Sequence, residues 1–281
     1  MIPPLPDVII EPLVRAALAE DLGHAGDVTS AATIDADARL SCAFVARKSG
    51  VAAGLDCARL AITTLDPTAT FEAVVADGDT LQPGTVLARV EANARALLSA
   101  ERVALNLMGR MSGIASLTAD YVTEVKGTGA RITDTRKTTP GLRALEKYAV
   151  VCGGGVNHRF GLDDAILIKD NHVAACGSAA EALRRAQAHA GHLMKVEIEV
   201  DGLDQFDEVL PLKPDVILLD NFSLEDMREA VRRNAGAVTL EASGGVSVAN
   251  VRAIAQTGVD VISVGALTHS APVLDIGLDA L

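Results

Sequence analysis

Five cationic side chains crowd one stretch of this chain: Arg136, Lys137, His158, Arg159 and Lys169 surround the run Gly153-Gly154-Gly155. From Asp134 to His172 six Lys or Arg stand against five Asp or Glu, whereas the rest of the chain carries 19 against 32. Positive charge kept in one place on an otherwise acidic molecule suits a small, multiply charged anion. Arginine offers paired donors that match a carboxylate and keeps its charge when dehydrated, so a planar dianion is best held by guanidinium forks. Glycines let backbone N–H groups approach a phosphate. A glycine run by itself is more often a loop, and a lone His158 would read as a satisfied loop histidine were Arg159 not beside it.

The remaining composition excludes several classes. A net charge of −12 and a pI near 4.9 would repel nucleic acid and anionic membrane surfaces. With two Tyr, five Phe and no Trp, there is no stacking platform for single strands. Cysteines 42, 57, 152 and 176 lack paired metal-ligand spacing, and the N-terminus lacks a basic segment followed by an apolar run. Reduced thiols and a cytoplasmic protein are expected, with Cys152 a small apolar filler. No apolar run reaches the roughly 20 residues needed to cross a bilayer.

The elements that must position these residues are legible in the second half. Val, Ile and Leu-rich runs at 131–135, 165–169, 195–200, 215–219, 237–241 and 260–264 read as buried strands. Helices are expected between them at 178–190, with a Ser178/Glu181 capping box, and at 203–210, 223–234 and 247–256. Such alternation describes a parallel α/β structure, here a TIM-like barrel, complete or incomplete, rather than an open doubly wound sheet. The first hundred residues predict a smaller α/β sandwich-like domain, with strands at 41–47, 50–54, 71–75 and 85–90 and turns at Asp77-Gly78-Asp79 and Pro83-Gly84.

Both parallel architectures place ligands at the carboxyl ends of strands. Those ends carry Asp134 with Arg136, Lys169 with Asp170, Glu199, Asp220 with Asn221, Ser243-Gly244-Gly245, and Gly265. Turn formation alone accounts for Asn221 and Gly265. It accounts poorly for Lys169 and Glu199, charges that finish apolar strands and need partners there. Arg143 and Lys147, four apart on a helix with Glu146 between them, read as a solvated face. Arg102 falls off the apolar stripe formed by Leu97, Leu98, Ala104, Leu107, Met108 and Met111, and by itself is a surface arginine.

Seven blocks carry a resemblance: EDLGHAGDVTS (20–30), SAERVALNLMGRMSGIAS (99–116), TRKTTPGLRALEKYAV (135–150), GGGVNHRFGLDDAILIKDNH (153–172), ILLDNFS (217–223), LEASGGVS (240–247) and ISVGALTHSAPVLDIGLD (262–279). Together they resemble the type II phosphoribosyltransferases that act on quinolinate, over nearly the whole chain. The resemblance implies that quinolinate, a pyridine 2,3-dicarboxylate, reacts with 5-phosphoribosyl-1-pyrophosphate and magnesium. The products would be nicotinate mononucleotide, pyrophosphate and carbon dioxide, a step in de novo NAD biosynthesis. It implies that Arg102, Arg136, His158, Arg159 and Lys169 surround the quinolinate carboxylates. Lys137, Glu199, Asp220, Ser243, Gly244, Gly245, Gly265 and His269 would line the phosphoribosyl pyrophosphate side. Lys137, Lys169, Glu199 and Asp220 would carry catalysis, with Glu199 and Asp220 placing the metal. It further implies an N-terminal domain over 1–112, on which 269–281 packs, and a barrel over 113–268. A homodimer would follow, with Arg102 reaching the neighbour's site.

Two rivals are a Schiff-base lyase using Lys169, a lysine that ends a barrel strand, and a paralogue of altered substrate or without catalysis, such as the molybdenum-transport-associated relative. Replacing Arg136 by Lys separates a carboxylate clamp from a structural arginine. We expect Arg136→Lys to raise the KM for quinolinate about tenfold or more as the planar fork is lost. Steady-state kinetics checks this.

Overall fold

The computed structural model describes residues 2–281, which divide into two compact units. The first gathers 2–119, 138–154 and 267–281. Its helices are α1 (Asp7–Leu22), α2 (Val28–Thr33), α3 (Leu55–Leu65), most of α4 (Ala94–Val125) and α5 (Arg143–Cys152). Its strands are β1 (Arg39–Ala46), β2 (Gly50–Val51), β3 (Thr70–Ala73), β4 (Thr80–Leu81), β5 (Val86–Asn93) and β12 (Ile276–Ala280). Four of them form an antiparallel sheet in the order β12-β1-β5-β3, with Cys42 opposite Ala280 and Ala46 opposite Ile276. The turns at Gly78 and Gly84 use positive φ, as their sequence predicts. Asp77 also accepts hydrogen bonds from the N–H groups of Gly54 and Leu55 at the start of α3, satisfying donors a helix cannot meet internally.

Helix α4 is long because Leu97, Ala100, Ala104, Met108, Met111 and Ala115 recur at three- and four-residue spacing and are all buried. Glycines on α4 admit the C-terminal segment: Leu274 N–H donates to the Gly109 carbonyl at 2.9 Å, and a Cβ on Gly113 would collide with the Pro272 carbonyl oxygen.

Helix α5 departs from expectation. Glu146 and Lys147 are buried and Arg143 is half-buried, so this is not a solvated face. Glu146 is buried because Oε1 accepts from Arg110 Nη2 at 2.7 Å while Oε2 accepts from Thr139 N–H at 3.0 Å. Arg110 also donates to the Thr268 carbonyl. A helical charge pattern records spacing, and spacing cannot reveal a counter-ion contributed by a distant helix.

The second unit, 120–137 and 155–266, holds β6 (Arg131–Thr133), β7 (Ile166–Ile168), β8 (Val196–Val200), β9 (Val216–Asp220), β10 (Thr239–Ser243) and β11 (Val261–Ser263). All six pair in parallel, in the order β6-β11-β10-β9-β8-β7, and Val156 adds a parallel bridge to Thr133 beyond β6. The order ends at β6 and β7 rather than returning on itself, so the expected barrel is incomplete by strand pairing. Between strands lie α6 (Asp170–Cys176), α7 (Ala179–His189), α8 (Leu203–Val209), α9 (Leu224–Asn234) and α10 (Val251–Ala255); α11 (Ala266–His269) follows β11. Ser178 caps α7 by accepting from Glu181 N–H, but the Glu181 carboxylate turns to Arg185 instead of closing the box. The 247–256 helix is shorter than expected because Asn250 folds back, accepting from Ser247 N–H and donating to the Gly245 carbonyl.

Gly113→Ala is expected to lower thermal stability by about 1–3 kcal/mol, because the new methyl must displace backbone rather than a flexible side chain. A melting curve checks it, with Gly127→Ala, whose Cβ meets nothing within 4 Å but whose φ is +84°, isolating the cost of φ alone.

Candidate active site

Strand β8, VEIEV, shows how the sequence builds the site. Val196, Ile198 and Val200 bury one face, which forces Glu197 and Glu199 together onto the other. The same period puts Leu218 and Asp220 of β9, and Glu241 and Ser243 of β10, on that face, with Ser243 in register with Asp220 and Glu199 with Leu218. Lys169 follows β7 directly, and its Nζ donates to Glu199 Oε2 at 2.9 Å. Asp220 Oδ2 accepts from Asn221 Nδ2 at 2.7 Å. Two carboxylates on neighbouring strands offer the hard oxygen donors magnesium prefers, the remaining positions of its shell being usually taken by water and substrate phosphate oxygens. These residues therefore fit that ion.

Gly244 and Gly245 follow β10 with φ of 93° and 61°. A Cβ at Gly244 would strike the Asn221 side chain, so glycine is required here on two counts. Gly265 follows β11 directly before α11.

Arg136 and Arg159 are neighbouring cations of the second unit. Burial pushes the Arg159 guanidinium below its ordinary value, and the adjacent Arg136 charge pushes the same way, opposed by Glu197 and Asp164. Arg159 Nη1 donates to the Ala165 carbonyl at 3.0 Å. The Nε groups of both Arg136 and Arg159 are buried without a hydrogen-bond partner. Unmet buried donors on two neighbouring cations are what an anion would satisfy. Lys137 is exposed beside Arg136, and its N–H donates to Thr135 Oγ1.

His158 turns inward. Its backbone N–H donates to Asp134 Oδ1 at 2.9 Å, and its Nε2 lies 3.0 Å from Glu197 Oε2 and 3.6 Å from Glu241 Oε1. Glu197 and Glu241 were not foreseen. The signal was present, since an acid in the middle of an apolar strand must meet a partner inside. Burial, and next the Glu197 charge, push the Glu241 carboxyl up to about 7.

Arg102 is exposed on α4, and His269, whose Nδ1 lies 2.6 Å from Ser270 Oγ, ends α11; both belong to the first unit. Of the glycine run, Gly153 packs against α4, where a Cβ would meet Thr118 Cβ at 2.6 Å, so that glycine serves packing. Cys152 is buried, and burial pushes its thiol up to about 12.

Because the folded chain favours protonated Glu241, that stabilisation is complete below about pH 4.5 and is lost as pH rises through about 7. Glu241→Gln is expected to flatten the fall in melting temperature across that window. Melting curves from pH 4 to pH 8 check it.

Residues 27–112 match the family model described as quinolinate phosphoribosyl transferase, N-terminal domain, and residues 114–279 match its C-terminal domain. A Mycobacterium leprae protein named nicotinate-nucleotide pyrophosphorylase [carboxylating] is 51% identical over 271 residues, covering 95% of each chain. A Bacillus subtilis protein, the probable enzyme of the same name, is 43% identical over 96% of this chain and 93% of its own. The crystal structure of NadC from Streptococcus pyogenes superposes with a TM-score of 0.95 at 40% identity, covering 99% of both chains. With both domain models matched in order and relatives this similar along their full length, the chain belongs to the quinolinate phosphoribosyltransferase family.

Proposed function

We propose that this protein transfers phosphoribosyl from 5-phosphoribosyl-1-pyrophosphate to the ring nitrogen of quinolinate and releases carbon dioxide, giving nicotinate mononucleotide and pyrophosphate for NAD biosynthesis. The observation that carries this reading is the Arg136–Arg159 pair, two adjacent cations each with an unmet buried donor. Arg136 and Arg159 grip the two carboxylates of quinolinate, at ~1.5–3 kcal/mol for each charge-assisted bond, which offsets dehydration of the dianion. Lys169, paired with Glu199, adds a further cation for the dianion on this reading. His158 serves the carboxylate side through its neighbour Arg159 rather than by direct contact.

On the sugar side, Glu199 and Asp220 would hold magnesium, which when bound would neutralise charge on the departing pyrophosphate. Lys137 adds a cation for the same leaving group. The bond from ribose to pyrophosphate breaks through a loose, cation-like state that the Glu199 and Asp220 carboxylates favour electrostatically. Ser243, Gly244, Gly245, Gly265 and His269 take the phosphates, the glycines through backbone N–H groups. Glycosylation makes the ring nitrogen cationic, so the adjacent carbon loses its carboxylate as carbon dioxide with the electron pair stabilised by that charge, and a proton from water then completes the ring C–H. Orientation is the protein's main contribution there, and no dedicated base is required.

We further propose a homodimer in which Arg102 completes the partner's site. Its exposed position on α4, outside the cationic cluster's own unit, supports this. The reaction belongs to the cytoplasm on this reading, where thiols stay reduced; all four cysteines are free, and no helix is long and apolar enough to cross a membrane among the described residues. The lyase reading rests only on Lys169 following β7. Lys169 is the ion-pair partner of Glu199, the reverse of the desolvated amine that Schiff-base chemistry needs.

The test is pyrophosphate release. Quinolinate should support it, nicotinate should not, and chelation of magnesium should abolish it; preference for nicotinate would overturn the assignment. Glu199→Gln and Asp220→Asn should lose turnover while retaining quinolinate binding by calorimetry. Mixing inactive Arg102→Ala and Arg136→Ala chains should recover about a quarter of wild-type activity if the site is shared, since half the dimers would be mixed and each would hold one intact site.

A further inference from the structure

His158, Glu197 and Glu241 bring three potential metal-ligand atoms within 4.8 Å of one another, two of them on largely buried acids. The hydrogen bonds argue against a cation. His158 Nδ1 accepts from the backbone N–H of Arg159 at 2.8 Å, so that nitrogen carries a lone pair and no proton. A neutral imidazole then keeps its proton on Nε2, which becomes a donor and has no lone pair left for a metal. The acceptor is Glu197 Oε2 at 3.0 Å, with Glu241 Oε1 behind it at 3.6 Å.

The consequence reaches the substrate pocket through one peptide. His158 N–H is fixed by Asp134, the ring is fixed by Glu197, and the ring in turn holds the N–H of Arg159. The side chain of Arg159 thus leaves a peptide locked on both sides, with Nη1 tied to the Ala165 carbonyl and Nε left unmet. The Glu197 charge also acts directly on the Arg159 guanidinium, opposing the repulsion from Arg136. Around Glu241 stand Glu197, His158, Ser263 and Asp134. Glu197 Oε2 is the nearer acceptor for Nε2 and Glu241 Oε1 the farther one behind it.

Resting on the functional reading above, we propose that Glu197, backed by Glu241, is a positioning residue for quinolinate: it holds His158 in the Nε2–H tautomer and thereby aims Arg159 at a substrate carboxylate. Glu197 touches no reacting atom. Its influence is confined to the carboxylate side, which a general structural role would not be.

The experiment combines nitrogen NMR of histidine-labelled, substrate-free protein with initial rates against both substrates for wild type, Glu197→Ala and Glu197→Gln. The expected result is an Nε2–H tautomer for His158 in wild type. Glu197→Ala should raise the KM for quinolinate about tenfold, the loss of one charge-assisted bond, with kcat and the KM for phosphoribosyl pyrophosphate little changed. Glu197→Gln should recover most of that loss, because its amide oxygen accepts the same proton. An Nδ1–H tautomer in wild type would overturn the proposal, as would equal impairment of the two variants or a parallel rise in both KM values. The NMR result decides even where the Ala variant does not fold. If wild type fails to use quinolinate at all, the functional reading is what fails, and the tautomer still reports on the hydrogen-bond arrangement.

Discussion

Like charges held side by side repel, and the second unit holds Arg136 beside Arg159 with a buried Nε on each unmatched. The charges of Glu197 and Asp164 act against that repulsion at Arg159. The remaining features of the site follow from this constraint. Period-two alternation in β8 delivers Glu197 and Glu199 to one face, where the inner acid answers the histidine and the outer one answers Lys169. Acid and base alternate in depth, so charge can be kept partly dry without any single group standing alone.

Much of this was legible in the sequence, for identifiable reasons. Parallel strands buried on both faces read as continuous Val, Ile and Leu runs, and all six in the second unit lie where such runs occur. Charges finishing those runs marked Lys169 and Glu199 as residues needing partners, and the Lys169–Glu199 pair supplies one. What could not be read was depth. Lys147 and Glu146 have the spacing of a surface helix, yet Glu146 is buried by Arg110, thirty-six positions away in sequence. Glu197 drew no reading of its own because its partner, His158, lies on a loop whose direction depends on tertiary structure.

The glycines make the same point from the backbone. Gly153 belongs to a run that invites a phosphate-loop reading, yet a side chain there would strike α4. Gly244 is required by its left-handed φ and by the Asn221 side chain against it. Identical residue types thus serve packing at one position and close approach at another, and only the neighbouring atoms distinguish them. Family membership, carried by relatives similar along the full length, supplies the substrate that geometry alone states as a compact polyanion.

The first unit is assembled from three separate lengths of chain, the last of which contributes β12 beside β1. During synthesis, residues 267–281 emerge only after the whole of the second unit, so the ribosome releases material for the parallel sheet before the antiparallel one can acquire its outermost strand. Until then β1 has an unpaired margin, with Cys42 and Phe44 beside it awaiting their cover. Nascent chains stalled short of residue 276 would present that margin to solvent, and such an edge is a natural station for a chaperone.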